Sequence, residues 1–288
     1  MAKSVAEAFG EFHSNLIITN NQQEEVSRRR ASVLQTLKRS FVVKDSFIFG
    51  SYQRSTAIAP LRDADVDLFV VLPSEDLGQR TPTQLLDRVR TLLSEAYSTA
   101  VKASLNGQAI TIHFPDFKID VVPCVTTRGG YLIADASNGE WILTDPRKHS
   151  DHVMDANKKH RGGLLPIIRL LKQWNRTLNY SFSGFYLELL VVFCLDQLVA
   201  AEYPVPDLLK LVFSVGEVAV QVSLDDPAGL GGAVRKFQAI QTVDQAASLF
   251  KTADSRAERA LDYASRSLVP QAFEQWQSVF GNEFPKYS

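Results

Sequence analysis

Phe47-Ile48-Phe49-Gly50-Ser51-Tyr52-Gln53-Arg54-Ser55-Thr56, followed by Asp65-Val66-Asp67-Leu68-Phe69-Val70-Val71-Leu72, decides how this chain is read. An apolar strand breaks at Gly-Ser. The next apolar strand opens with two aspartates one residue apart. Side chains alternate along a strand, so Asp65 and Asp67 share one face while Val66, Leu68 and Val70 take the other. Two carboxylates that close repel unless positive charge sits between them.

A third aspartate, Asp120, lies in the alternating run Phe117-Lys118-Ile119-Asp120-Val121-Val122. If that strand pairs beside the Asp65 strand, three carboxylates converge. Hard oxygen ligands with open water positions suit Mg²⁺, with Mn²⁺ as the alternative, and nucleotide phosphates complete the shell. Two such ions can clamp the attacking and leaving oxygens of a nucleotidyl transfer. Gly50 would let the backbone turn sharply towards a phosphate, and Ser51 would open a short helix with donors aimed at a triphosphate. A Gly-Ser pair alone is a turn, and a lone DxD is a solvated edge. A calcium loop fails because apolar Leu68-Phe69-Val70-Val71-Leu72 follows where ligands should continue. The combination of strand, Gly-Ser, short helix, DxD strand and later lone Asp is specific for a nucleotidyltransferase site.

The rest of the sequence frames this core. The chain has 288 residues, 45% hydrophobic and 22% charged, with net charge −1. That composition fits a soluble globular protein of one large or two ordinary domains. Arg28-Arg29-Arg30 is the densest basic run, too short to promise a grip on long nucleic acid. Cys124 and Cys194 sit in apolar surroundings and read as buried thiols of a reducing compartment. No Cys/His spacing suits zinc. The N-terminus lacks a signal-peptide core, and the apolar run 182–201 carries Glu188 and Asp196, so neither export nor a membrane span is expected; cytoplasm is the default.

Strand-like runs at 46–49, 66–72, 109–114 and 117–122, a helix over about 83–100, and a hairpin turn at Asn106-Gly107 make 41–145 a mixed α/β unit. Before it come two helices in 1–40, the second capped by Asn20 or Asn21 with Glu24-Glu25 in its first turn; these would brace the lobes. After Asp145-Pro146 the period becomes helical, with Thr144 or Asp145 as cap. Helices are expected over 164–178, 183–201, 205–221, 232–250 and 255–280, giving a helical lobe over 146–288. The fold class is α+β, with the active site in a cleft between the lobes. Trp141 and Trp174 read as core. His149 and His152, spaced i and i+3, read as surface. Lys172, between Leu171 and Trp174, reads from periodicity as a solvated lysine.

The pieces Gly50-Ser51, Asp65-x-Asp67 and Asp120 resemble the polymerase-β-like nucleotidyltransferases. More narrowly, Gly50-Ser51-Tyr52-x-Arg54-x-Thr56, Ile119-Asp120-Val121-Val122-Pro123, Trp141-x-x-Thr144-Asp145-Pro146, Leu170-Leu171-Lys172-Gln173-Trp174-Asn175 and Ser183-Gly184-Phe185-Tyr186-Leu187-Glu188 are similar to the cGAS/DncV-like nucleotidyltransferases of bacterial anti-phage signalling, relatives of oligoadenylate synthases. The resemblance implies that Asp65 and Asp67 hold both metals. It implies that Asp120 holds the metal at the acceptor hydroxyl and helps to deprotonate it. Lys172 and Ser183 would meet the donor triphosphate, and Phe185 or Tyr186 would stack on a base. One departure is Gly184, where the family often carries serine; a one-residue shift to Ser183 would supply the hydroxyl.

The resulting expectation is an Mg²⁺-dependent synthase. It joins nucleoside triphosphates into a cyclic di- or trinucleotide messenger, releases pyrophosphate and acts through a separate effector protein. The alternatives are transfer or tailing onto RNA or protein, and a silent nucleotide-binding regulator. Activation could be constitutive, require a regulatory partner protein, or follow a phage signal.

Overall fold

The computed structural model describes residues 2–75, 80–103, 107–198, 203–240 and 242–288. The chain divides into two compact units: a sheet unit of Ile18–Asp151 with Pro227–Gly231, and a helical unit of Met1–Ile17, His152–Asp226 and Gly232–Ser288.

In the sheet unit, β1 (Asp45–Phe49), β2 (Asp65–Leu72), β3 (Val101–Ala103), β4 (Ile110–His113) and β5 (Lys118–Thr127) run in the order β1-β2-β5-β4-β3. β6 (Gly130–Asp135) pairs with the far half of β5, and β7 (Glu140–Thr144) pairs with β6. The β2–β5 pair is parallel and the others are antiparallel. The β3–β4 pairing is in place, but the Asn106-Gly107 turn expected there lies partly outside the described residues.

One face of this sheet is covered by α2 (Asn20–Leu37) and α4 (Pro82–Tyr97), after the one-turn α3 (Gly50–Gln53). Val26, Val33 and Leu37 of α2 and Leu85, Val89 and Leu93 of α4 bury themselves against Val66, Leu68, Val70, Ile119 and Val121. Each such side chain contributes about 1.5–3 kcal/mol. Phe69, Val71, Val122, Cys124 and Ile133 pack on the opposite face with Phe47 and Phe49. Both faces are therefore apolar along most of β2, which is why its sequence reads as a near-continuous apolar run. Only Asp65 and Asp67 break it.

The caps correct three details. α2 is capped by Thr19, whose hydroxyl accepts from Gln22 N while the Gln22 side chain accepts from Thr19 N. The cap is thus one residue earlier than Asn20, and Glu24 and Glu25 fall beyond the first turn. α4 uses the same device with Thr81 and Gln84, starting at Pro82. Sequence reading missed the β6–β7 hairpin: its runs are short, bounded by Gly129-Gly130 and Gly139, and half-buried on β7.

The helical unit contains α1 (Val5–Asn15), the end of α5 (Pro146–Lys159), α6 (Leu164–Thr177), α7 (Gly184–Asp196), α8 (Val205–Ala219), α9 (Val243–Ser265) and α10 (Val269–Phe280). Expected helices over 232–250 and 255–280 are replaced by an irregular stretch, then α9 unbroken through 251–255. The Thr242 hydroxyl caps α9 by accepting from Gln245 N. Ala246, Ala253, Ala257 and Ala260 keep a buried small-residue face along it. The break comes later, at Ser267 with φ +60 and Pro270 in the first turn of α10. Phe9 meets Trp276 edge-to-face at 4.9 Å, and Phe9 and Phe12 pack on Phe284, tying the N-terminal helix to the C-terminal segment. Trp174 is buried, while Trp141 is half-buried against the sheet core. No helix among the described residues is long and apolar enough to cross a membrane.

Candidate active site

β2 and β5 run parallel in a register that sets Asp67 directly opposite Asp120 and Asp65 opposite Lys118. Alternation then puts Asp65, Asp67 and Asp120 on one side of the sheet, away from α2 and α4. Asp67 and Asp120 line a pocket of about 260 Å³. Asp65 is not among its lining residues but lies close enough to act electrostatically on Asp120.

Each carboxylate has a protein partner. Lys118 Nζ lies 3.4 Å from Asp65 Oδ1, with both side chains about half exposed. Thr111, across from Asp120 on β4, donates its hydroxyl to Asp120 Oδ1 at 2.5 Å. Asp67 closes onto Gly50: a Cβ built there would run into its carboxylate. Gly50 also has φ +71, a conformation that L side chains rarely adopt. Glycine is therefore required twice at this turn, by the backbone and by the metal-ligand candidate beside it.

Burial pushes the Asp120 carboxyl above its usual range, and Asp65 pushes it the same way, while the Thr111 hydrogen bond holds it partly down. The three carboxylates supply only hard oxygen atoms and hold excess negative charge, as divalent magnesium requires. They fit that ion chemically. Among the described residues, however, no three His, Cys, Asp or Glu side chains are drawn together into a metal cage. Asp65 is turned to Lys118 and Asp120 to Thr111.

The Gly-Ser motif folds as expected and explains its later residues. The Ser51 carbonyl accepts from Thr56 N at 2.9 Å, Ala57 N at 3.0 Å and the Thr56 hydroxyl at 3.2 Å. Thr56 is fully buried, so it shapes the loop rather than meeting a ligand. Ser51 remains half-buried on α3. That helix is a single turn and contributes little dipole, so its value to a phosphate lies in individual donors.

In the helical unit, Lys172 on α6 makes a 2.6 Å ion pair with Glu188 on α7; their side chains are 11% and 0% exposed. The solvated-lysine expectation fails, because the amphipathic pattern of α6 places Lys172 on the flank that α7 covers. Ser183 stands at the N-cap of α7 without a side-chain cap bond, its amide donating to Lys236 O. Gly184 faces Lys172: an added Cβ would lie 3.6 Å from Lys172 Cε, an ordinary contact. Phe185 is half-buried. Tyr186 is fully buried, so of the two stacking candidates it is not exposed to meet a base, while Phe185 stays partly exposed. Both cysteines are free and buried, and burial pushes the Cys194 thiol up to about 12, so neither is a nucleophile.

Sequence reading missed two site residues. Thr111 gave no signal beyond its place on a short strand. His149, read as surface, lines the pocket with Asp67 and Asp120. Pro146 starts α5, and Asp145 caps it by accepting from Arg147 N and Lys148 N, so His149 falls within the first turns of the helix.

Comparison with known proteins shows the family. Residues 3–157, more than half of the chain, match the Second Messenger Oligonucleotide or Dinucleotide Synthetase domain. A cyclic AMP-AMP-AMP synthase of Acinetobacter is 28% identical over 260 residues, covering 84% of this chain and 73% of its own. Among solved structures, Vibrio cholerae DncV cyclic AMP-GMP synthase, with the linear intermediate pppA(3′,5′)pG, superimposes with TM-score 0.79 at 13% identity over 99% of this chain and 97% of that one. Escherichia coli CdnC in complex with HORMA-deltaN does so with TM-score 0.76 at 19% identity, covering 97% and 98%. The chain belongs to the Second Messenger Oligonucleotide or Dinucleotide Synthetase family, the cGAS/DncV-like nucleotidyltransferases.

Proposed function

We propose that this nucleotidyltransferase joins nucleoside triphosphates through 3′- or 2′-hydroxyl attack on an α-phosphate, releases pyrophosphate and closes a cyclic di- or trinucleotide. The observation that carries this reading is Asp120 standing directly across from Asp67, with Asp65 on the same face, beside a pocket. Asp65, Asp67 and Asp120 would hold two Mg²⁺ ions, which Mn²⁺ could replace; when bound they supply charge neutralisation for the phosphates. Asp120, opposite Asp67 at the pocket, would take the proton of the acceptor hydroxyl. Gly50 and Ser51 hold the phosphate tail at the α3 turn. Lys172, Ser183 and Phe185 form the donor-nucleotide group, with Glu188 fixing the Lys172 ammonium.

The relatives named above make cyclic trinucleotide and cyclic dinucleotide products, which favours cyclisation over tailing of RNA or protein. The product would signal to a separate effector in anti-phage defence. The CdnC–HORMA complex supports a regulatory partner protein as one route of activation.

Incubation of the purified chain with labelled triphosphates and Mg²⁺ should yield phosphatase-resistant product, identified by mass spectrometry. Asp67→Asn and Asp120→Asn should lower the rate by about 10²–10⁴-fold. Parental yield from either variant would refute the site.

A further inference from the structure

We propose that His149 is a substrate-contacting residue, hydrogen-bonding the acceptor nucleotide whose hydroxyl lies against Asp120. The inference rests on the reading of Asp120 as the group at the acceptor hydroxyl. If that hydroxyl sits at Asp120, the rest of the acceptor must occupy the space beside it. The about 260 Å³ pocket is that space. Phe49, Phe69, Val122 and Ile133 give it an apolar wall suited to a sugar or base face. Its wall of hydrogen-bonding side chains is short, and His149 is the member that comes from a helix rather than from the sheet.

The position of His149 is held from two sides. Asp145 caps α5, and Pro146, its first residue, is buried. The next residue, Ser150, is buried and donates its hydroxyl to Gln53 Oε1 at 2.6 Å. Gln53 ends α3, the turn that begins at Gly50. The helix bearing His149 is therefore hydrogen-bonded to the same turn that brings Gly50 onto Asp67. An imidazole so placed can hydrogen-bond a nucleotide through a ring nitrogen without needing charge.

A linear dinucleotide lacking a 5′-triphosphate can act only as acceptor, so it isolates this half of the reaction. The probes are the four homodinucleotides, extended with labelled triphosphates, with dinucleotide binding followed by calorimetry. His149→Ala should weaken dinucleotide affinity by about 2–13-fold, the equivalent of one hydrogen bond of 0.5–1.5 kcal/mol, and raise the KM for dinucleotide accordingly. The KM for the triphosphate donor should stay at the parental value. His149→Gln, which keeps a donor and an acceptor, should recover most of the loss. Parental dinucleotide affinity in His149→Ala overturns the proposal. So does an equal weakening of donor and acceptor in both variants, which would mark His149 as merely structural. If the parental enzyme itself neither binds nor extends any dinucleotide, while still making product from triphosphates, the assignment of this pocket to the acceptor falls and the proposal with it.

Discussion

Asp120 in the sheet unit is half-buried and leans on the neutral hydroxyl of Thr111, with Asp65 nearby raising its proton affinity. Glu188 in the helical unit is fully buried and meets a cation, Lys172, at 2.6 Å. Lys118, beside the candidate carboxylates, sits 3.4 Å from Asp65 with its side chain 41% exposed, a contact that water screens and a stronger cation could displace. The difference separates two uses of charge. On the function proposed above, the carboxylate that would receive a metal or a proton is the one left short of positive charge. A carboxylate meant to fix a helix pair and hold a lysine in place is neutralised by it.

The largest effect that could break this contrast is at Glu188. Glu188→Ala leaves the Lys172 ammonium buried without its carboxylate, and removing one partner of a buried pair costs about 3–5 kcal/mol. The double variant Lys172→Met with Glu188→Leu should recover much of that stability while raising the KM for the triphosphate donor. Chemical denaturation of the three proteins checks this. A Glu188→Ala midpoint equal to the parent's would show that the pair contributes nothing and that Lys172 is not held.

A sharper version of the same comparison uses two glycines. Gly50→Ala adds a methyl group both at φ +71 and into the Asp67 carboxylate, so the turn must shift. We expect a loss of about 1–3 kcal/mol in stability together with a fall in kcat. Gly184→Ser, facing Lys172 across an ordinary contact distance, should change stability by no more than about 0.5 kcal/mol. Thermal melts of both variants test the pair. Equal melting temperatures would mean that the close approach at Gly50 is not a constraint.

These two glycines also show how much the sequence disclosed. Gly50 was legible because a strand, a glycine and a DxD strand follow one another within a short span, and local order predicts local geometry. The sheet face bearing Asp65 and Asp67 follows from alternation alone, whereas the pairing of β2 with β5 joins residues far apart in the chain. His149 was not legible. The start of α5 at Asp145-Pro146 was legible, but the place of His149 beside the pocket depends on the β6–β7 hairpin preceding that helix, and that hairpin was too short and too half-buried to announce itself. Thr111 was hidden for a similar reason: its partner is set by register between strands, which no local pattern encodes. The run over 232–250 failed in the other direction. A helical-looking period there is overridden by bridges such as Phe182↔Phe237, while the small-residue face of α9 carries the helix through the expected break.

The smallest effect concerns what Asp120 does to stability, and its sign is the test. Its carboxyl is raised in the folded protein, chiefly by burial, so the fold binds that proton more tightly than the unfolded chain does. The stability this gives is fully present below the ordinary carboxylate range and is lost as pH rises through the raised folded value. At neutral pH the ionised Asp120 therefore works against folding. Asp120→Asn has no charge to desolvate, relieves the repulsion from Asp65, and keeps an oxygen to accept from Thr111. It should melt at a higher temperature than the parent at neutral pH, with the gain shrinking as pH falls through the raised folded value and gone below the ordinary carboxylate range, while its synthase activity is lost. Melting curves across that pH range decide the matter. A variant that melts lower than the parent at neutral pH, or whose gain does not change with pH, would mean that Asp120 is stabilised where it sits, and the contrast with Glu188 would collapse.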